Sequence, residues 1–433
     1  MPPSAPTRSL RLSFLWALFG NVITAAAQWA FVILLARLAG VDDVGRYALA
    51  LGITSPLLNF TNLQLRAVQA TQTGSDFHLG HFVALRLITS VLFLVALAFF
   101  FLGAPLPQQT AWVLLAVAFS RLPEAASDLI YGHLQHQERM DRIAQSQIVR
   151  AVSTLAALTY GMASGGSPLS AILLSGLAGW ASVLFFDLPV AVSVCGPSAL
   201  RPVFASPVLR SLAWLALPLG FTQILNSTLA NLPRYLLEHW HGDRAVGLFS
   251  AQAYAIVAAN VLVVALGQTL IPRAARAFES DLPRYFQLAS RLLLLGALLA
   301  AGGLAFATLF GPATLTRIYG PAYGANPTAI QLLMVAGGLS YLSAAMGCCL
   351  TAARQFLPQM RILAIANAVT LTAGLLLVPA AAIEGAAIAH ALGYAAQCAA
   401  SIYYLRSAIA AQRRQHAAPV TLQSSLPTAC LES

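Results

Sequence analysis

The feature that most constrains the fold is a succession of apolar segments, each about as long as a membrane is thick. A helix rises 1.5 Å per residue, so about 20 apolar residues cross a hydrocarbon core of about 30 Å. Only 9% of the residues are charged, against about 25% in soluble domains. The pattern predicts an all-α polytopic membrane protein with about twelve transmembrane helices, at residues 13–36, 47–65, 84–104, 111–134, 144–163, 168–195, 211–236, 246–271, 288–310, 328–352, 358–380 and 384–406.

The placement of arginine predicts the orientation of these segments. All 24 basic residues are Arg, and cytoplasmic loops carry an excess of basic residues. With the N-terminus inside, the cytoplasmic links receive most of them, including Arg139, Arg142 and Arg150. The external links receive only Arg37, Arg46, Arg244 and Arg317. Both termini are therefore expected in the cytoplasm, and the net charge of +10 requires no nucleic-acid partner.

A short motif occurs twice. "GVDDVGRYA" (residues 40–48) returns 202 residues later as "GDRAVGLFS" (residues 242–250). At the same offset Asn21 and Thr24 fall opposite Gln223 and Asn226. The sequence Ala-x-Arg-Leu also precedes both the third and the ninth segment. Both motif copies are predicted to be short polar links on the external side.

These echoes indicate an internal duplication. Because each half holds an even number of helices, the halves are parallel repeats, an arrangement that transporters use for alternating access. We expect an N-terminal six-helix lobe at 1–200, a C-terminal six-helix lobe at 201–406 and a cytoplasmic tail at 407–433, with a central cavity between the lobes. The links are too short for an extramembrane domain, which argues against an enzyme.

Charged residues interrupt the fourth segment. Arg121, Glu124 and Asp128 stand at i, i+3 and i+7 and so are expected on one helical face. Charges at this depth are costly and usually face the bundle interior or water. One interpretation is that they form an ion-coupling site, together with Asp187 in the sixth segment. The other is that they only neutralise one another and hold the helix against a neighbour. No spacing suggests a metal site.

Polar residues on the first, second and seventh segments predict a hydrated cavity that binds a polar cargo. The alternative is that they form hydrogen bonds between helices. The candidates are Asn21, Thr24, Gln28, Asn59, Asn62, Arg66, Gln223, Asn226, Asn231 and Arg234.

Several stretches resemble the bacterial polysaccharide and O-antigen flippases of the multidrug/oligosaccharidyl-lipid/polysaccharide exporter superfamily. They are "LLARLAGVDDVGRYALALGI", "NLQLRAVQATQ", "DLIYGHLQHQERMDRIAQSQIVRA" and "RYLLEHWHGDRAVGLFSAQAYAI". Together with the twelve-segment pattern, the resemblance extends over the whole apolar part of the chain.

The resemblance implies a V-shaped fold and a cargo of undecaprenyl-diphosphate-linked oligosaccharide, moved across the bacterial plasma membrane. It also implies a cationic cavity for the diphosphate, to which Arg66, Arg86, Arg234 and Arg291 could contribute, and energy from a gradient of H⁺ or Na⁺ rather than from a bound cofactor. The expected partners are membrane lipids, a polysaccharide polymerase and a chain-length regulator.

Two other functions stay open from the sequence. A multidrug cation antiporter of the same superfamily would place carboxylates in its cavity, yet segments one, two, seven and eight have no acidic residue at depth. This favours anionic cargo. A membrane-embedded polysaccharide polymerase or ligase would need a large external loop, which the short links do not provide.

Overall fold

The chain is helical throughout the residues that its computed structural model describes, namely 10–71, 77–103 and 106–417, and these contain no strand. The first half comprises α1 (Leu10–Leu38), α2 (Val41–Thr61), α3 (Leu65–Thr71), α4 (Leu79–Gly103), α5 (Gln108–His136), α6 (Met140–Ala163), α7 (Pro168–Ser182), a π-helical turn (Val183–Asp187), α8 (Leu188–Cys195) and a 3₁₀ turn (Pro197–Leu200). The second half comprises α9 (Ser206–Ser280), α10 (Leu282–Leu309), α11 (Gly311–Tyr319), α12 (Pro321–Gly324), α13 (Pro327–Ala352) and α14 (Phe356–Ala417).

The helices are compatible with twelve membrane passes. Seven stretches among the described residues are long and apolar enough to cross a membrane. Two of them are much longer than one pass requires, because α9 has 75 residues and α14 has 62. Each bends sharply at one residue, Gly242 in α9 and Ala382 in α14. Each predicted segment overlaps a helix or one arm of a bent helix.

Each half forms its own bundle. In the first half α6 packs on α1 and α7, and α5 packs on α2 and α7. In the second half α13 packs on α9, α10 and α14, and α14 also packs on α9. The two halves meet chiefly along α2 and α9. Bulky side chains such as Leu114 and Tyr341 are fully buried inside the bundles, whereas Phe99, Leu102, Phe185 and Leu376 are exposed, as expected on a surface that faces lipid.

The repeated motif is not a polar link, as the sequence predicted, but the first turn of a helix. The helical path is interrupted at Gly40 (φ 113°) and at Gly242 (φ 71°), backbone conformations that favour glycine. The helix starts directly after Gly40, so that Asp42 and Asp43 lie in the first turn of α2, where negative charge stabilises the helix. After Gly242 the second arm of α9 starts in the same way.

The two motif copies pack against each other. A Cβ atom at Gly45 would overlap the carbonyl oxygen of Asp243, and a Cβ atom at Gly247 would overlap that of Val41. These contacts are reciprocal, because Gly45 corresponds to Gly247, and Val41 to Asp243, at the offset of 202 residues. The absence of two side chains therefore allows the halves to close at this end of the bundle, which we call the motif end.

Candidate functional site

A polar cavity of about 330 Å³ lies between the two halves. The first half supplies most of its wall through α1, α2, α5, α6 and α7, and α9 supplies the remainder. The lining residues are Thr24, Ala27, Gln28, Phe31, Tyr47, Ala48, Leu51, Ser55, Ser120, Arg121, Glu124, Gln147, Arg150, Ala151, Thr154, Ser175, Gly179, Asn231, Arg234 and Tyr254.

The charges on this wall sum to a positive value, since three arginines face one glutamate. The Arg121 guanidinium and the Glu124 carboxylate form an ion pair at 2.5 Å. Glu124 therefore neutralises Arg121, and the charges of Arg150 and Arg234 remain. Arg150 donates to the Tyr131 hydroxyl at 3.3 Å, and its Nη1 atom is buried with no hydrogen-bond partner among the residues that the structure describes. Arg150 is therefore a cation of the cavity wall that has an unused donor.

Arg234 is the cation that the second half contributes. Its Nε donates to the Ser250 hydroxyl at 3.0 Å, and its Nη1 donates to the Asn231 side-chain oxygen. Both partners are neutral, so the positive charge of this guanidinium is oriented but not cancelled. Arg234 lies on the first arm of α9 and Ser250 on the second, and the bond therefore spans the bend at Gly242.

Aromatic rings form another part of the wall. Phe31 of α1 and Tyr47 of α2 are stacked, with ring centroids 5.0 Å apart and planes inclined by 21°. Both rings line the cavity, as does Tyr254. Such rings present flat apolar surfaces beside the cationic groups.

The predicted cavity residues divide into two groups. Thr24, Gln28, Asn231 and Arg234 line the cavity, and Asn21 lies next to it, accepting from the Gln147 amide at 3.3 Å. The others do not line it. Among them Gln223 and Asn59 are half-buried, Asn226 is exposed, and Asn62 and Arg66 belong to a separate cluster.

The separate cluster consists of Asn62, Arg66, Arg86, Asp128 and Gln135, and it joins α5 to α3 and α4. Asp128 accepts from Arg86 at 3.3 Å and lies 3.7 Å from Arg66. Arg86 also donates to the Asn62 side-chain oxygen, and Arg66 donates to Gln135 at 3.0 Å. The positions of Arg66, Arg86 and Asp128 match the structural alternative, in which charges hold helices together. Arg291 is exposed and lies outside the cavity lining.

The face predicted for Arg121, Glu124 and Asp128 is thus divided between two environments. Arg121 and Glu124 line the cavity, whereas Asp128 contacts the arginines of α3 and α4. Asp187 lies elsewhere again, buried at the end of the π-helical turn and in contact with the hydroxyls of Ser127 and Ser146.

Sequence reasoning missed the contribution of α6. Gln147, Arg150 and Thr154 line the cavity, although Arg150 was attributed to a cytoplasmic link. Their spacing of i, i+3 and i+7 is the same as that of Arg121, Glu124 and Asp128, so the signal was present in "QSQIVRAVST". Because α6 starts at Met140, Arg150 lies well inside this helix.

The motif end of the cavity is closed by contacts between the halves. Arg46 forms ion pairs with Asp43 at 2.8 Å and with Asp243 of the other half at 3.1 Å. Trp29 of α1 donates to the Tyr319 hydroxyl at 2.6 Å, and Arg37 donates to the carbonyl oxygen of Ile318 at 2.8 Å. In this structure the halves are therefore joined at the motif end.

The sequence model of the family described as "Polysaccharide biosynthesis protein" matches residues 10–278, which is more than half of the chain. The chain belongs to this family. A relative of this chain is the capsular polysaccharide biosynthesis protein CapF of Staphylococcus aureus. It is 23% identical over 341 residues, which cover 76% of this chain and 82% of CapF.

Solved structures share the fold of this family member. A MOP superfamily transporter from Pyrococcus furiosus, described as having a binding pocket of reverse polarity, matches with a TM-score of 0.65 at 14% identity and covers 93% of this chain and 96% of its own. A multidrug resistance transporter of the MATE family, in an inward-facing conformation, matches with a TM-score of 0.64 at 14% identity. The match covers 96% of this chain and 98% of the transporter. The chain therefore has the fold of MOP superfamily transporters.

Proposed function

We propose that this protein flips undecaprenyl-diphosphate-linked oligosaccharide from the inner to the outer leaflet of the bacterial plasma membrane, for the synthesis of a surface polysaccharide. The two halves give alternating access to the cavity, an H⁺ or Na⁺ gradient supplies the energy, and both termini lie in the cytoplasm. A polymerase and a chain-length regulator act on the cargo afterwards. The observation that carries the proposal is the net positive charge of the cavity between the halves.

The chemistry of the cavity suits a lipid diphosphate. Guanidinium groups bind phosphate oxygens with two parallel hydrogen bonds. Within the described part of the chain, Arg150 and Arg234 are the cavity arginines that form no ion pair with a carboxylate. The amides of Gln28 and Gln147 offer donors and acceptors for sugar hydroxyls. Family membership supports a role in polysaccharide synthesis.

A multidrug cation antiporter is less well supported by the same wall. A cationic drug needs an unneutralised carboxylate, and Glu124, which is the one carboxylate among the described lining residues, is paired with Arg121 at 2.5 Å. The neighbouring Arg150 and Arg234 would repel a cation in addition.

The first test is genetic. In a strain that lacks this protein but keeps the initiating glycosyltransferase, we expect lipid-linked repeat units to accumulate and surface polymer to disappear until the gene is restored. Unchanged pools of both, together with higher sensitivity to cationic drugs, would refute the flippase and support the antiporter.

The second test uses variants in the restored strain. Arg150→Gln and Arg234→Gln each remove a charged donor, and a hydrogen bond to a charged group is worth about 1.5–3 kcal/mol, so we expect surface polymer to fall about tenfold or more. Arg354→Gln is the matched control, because Arg354 is 74% exposed and pairs with Glu279 outside the cavity. Equal losses in all three variants would mean that cavity charge is not what binds the cargo.

A further inference from the structure

Asp187, one of the ion-coupling candidates from the sequence, is a buried carboxylate that lies outside the cavity lining. It is 2% exposed and accepts hydrogen bonds from the hydroxyls of Ser127, at 2.5 Å, and Ser146. No ion pair of Asp187 occurs in the part of the chain that the structure describes. Intramembrane carboxylates are costly and are usually functional. π-Helical turns, such as the one that ends at Asp187, are also frequent at functional sites.

A chain of hydroxyls connects this carboxylate to the cavity. The Ser146 oxygen lies 2.5 Å from the Tyr131 oxygen, and Arg150 donates to that same Tyr131 oxygen at 3.3 Å. The Arg150 guanidinium also lies 5.7 Å from the centre of the Tyr131 ring. Because Arg150 lines the cavity, three consecutive groups, Arg150, Tyr131 and Ser146, join the cavity wall to Asp187.

The direction of the hydrogen bonds in this chain follows from its two ends. A guanidinium only donates, so Tyr131 accepts from Arg150 and must send its own hydrogen to Ser146. Ser146 in turn sends its hydrogen to the carboxylate. An ionised Asp187 completes this sequence of donors, and its negative charge attracts Arg150 towards Tyr131 and away from the cavity.

The surroundings single out Asp187 as the group that can change charge. Four helices pack against the turn that ends at Asp187. Helices α5 and α6 contribute Ser127, Ser146, Tyr131 and Arg150. Helices α7 and α8 contain no acidic or basic residue, and their one ionisable side chain is Cys195. Arg66 also contacts the Tyr131 ring, at 5.5 Å from its centre. The other carboxylates of α5 and α6 each have arginine partners.

We propose that Asp187 is a proton-binding site that controls the affinity of the cavity for anions through Ser146, Tyr131 and Arg150. A hydronium ion protonates the carboxylate: one O–H bond of the hydronium ion breaks, the O–H bond of the acid forms, and a water molecule is released. The acid then donates to a serine oxygen, and the step reverses when the proton returns to water. The attraction on Arg150 is then lost, and the guanidinium becomes available to an anion. By linkage, anion binding strengthens proton binding by the same factor. The identity of the anion as a lipid diphosphate rests on the proposed function.

The test measures binding of undecaprenyl diphosphate to the full chain in lipid nanodiscs, from mildly acidic to mildly basic pH. The wild-type affinity should be about 5- to 150-fold higher when Asp187 is protonated. Asp187→Asn imitates the protonated acid and should bind tightly at every pH. Because the diphosphate itself titrates, the quantity of interest is the difference between the wild type and the variant. An identical pH dependence in both would overturn the proposal while leaving the flippase intact.

Tyr131→Phe tests the connection itself. It keeps the ring against Arg66 and Arg150 but removes the hydroxyl between Arg150 and Ser146. We expect the affinity to lose its dependence on Asp187 while binding persists, and this variant also carries the test if Asp187→Asn does not fold. A Tyr131→Phe protein with the full wild-type pH dependence would contradict the proposed route.

Infrared difference spectra recorded on a pH change detect protonation of Asp187 in the absence of any cargo. A carboxylic acid band should be present in the wild type and in Tyr131→Phe and absent from Asp187→Asn. The same band in all three proteins would overturn the proton site. If the band behaves as expected but no diphosphate lipid binds at any pH, the flippase proposal fails and the proton site stands.

Discussion

Gly45→Ala tests the closure of the motif end with a single methyl group. Gly45 belongs to the first turns of α2, and an added Cβ would overlap the carbonyl oxygen of Asp243 in the other half. This obstacle is backbone, which cannot rotate away as a side chain can. The overlap is relieved when α2 and the second arm of α9 move apart. We therefore expect the substitution to disfavour the closed state specifically.

The size of this effect follows from two contributions. Alanine stabilises a helix over glycine by about 0.8–1.0 kcal/mol, but α2 is helical in both states, so this gain cancels in the equilibrium between them. Forcing an extra methyl into a packed contact costs about 1–3 kcal/mol, and this cost falls on the closed state alone. The ratio of closed to open molecules should therefore drop about 5- to 150-fold.

Electron–electron distance measurements can check this in lipid nanodiscs. The exposed residues Asp42 and Arg244, one in each motif copy, would carry spin labels in a chain whose five native cysteines are replaced. Gly45→Ala should move population from a short to a long distance, and Gly247→Ala should do the same. The double variant should add little, because one movement relieves both overlaps.

Gly302→Ala is the matched control, since a Cβ there would meet no atom of another described residue within 4 Å beyond its own helix backbone and chain neighbours. It should leave the distances unchanged and raise helix stability slightly. If Gly45→Ala gives a folded protein with the wild-type distance distribution, the glycine contact is not what permits closure.

Two further predictions concern stability. Arg86→Gln removes the charged donor that bonds Asp128 at 3.3 Å. Because Asp128 is 29% exposed and keeps Arg66 as a partner, we expect a loss of about 1.5–3 kcal/mol, seen as a lower thermal midpoint in detergent and partly recovered by adding Asp128→Asn. Tyr235→Phe removes a hydrogen bond of 2.5 Å from the Tyr235 hydroxyl to the Gly52 carbonyl oxygen between the halves, at a cost of about 1 kcal/mol. Tyr160→Phe, at an exposed ring, should leave the midpoint unchanged.

The membrane fold could be predicted because helix length and hydrophobicity are local properties of the sequence. The bends could not be placed in the same way. The polar run Asp42–Arg46 was interpreted as a link, yet the break between the helices lies at Gly40 and the polar residues begin the next helix. A charged run and a helical first turn have the same composition when acidic residues favour the helix start.

The cavity could be predicted only in part, because lining depends on which face of each helix meets the others. Thr24 and Gln28 are one turn apart on α1 and both line the cavity. Asn62 and Arg66 have the same spacing, but α2 ends at Thr61, so their side chains join a different cluster. Arg150 was overlooked because a basic residue near a predicted helix end matches the positive-inside pattern equally well.

The two repeat copies also show that closure and cargo chemistry obey different constraints. At the offset of 202 residues, Gly40 and Gly45 meet Gly242 and Gly247, so the residues that bend the chain and close the motif end are duplicated. The cavity residues are not, since Arg234 corresponds to Val32. Reciprocal contact requires the same surface on both halves, as in a two-fold interface, whereas a cavity that holds one asymmetric cargo has no such requirement. Charge in the cavity is therefore free to differ between the halves while the glycines that close it are not.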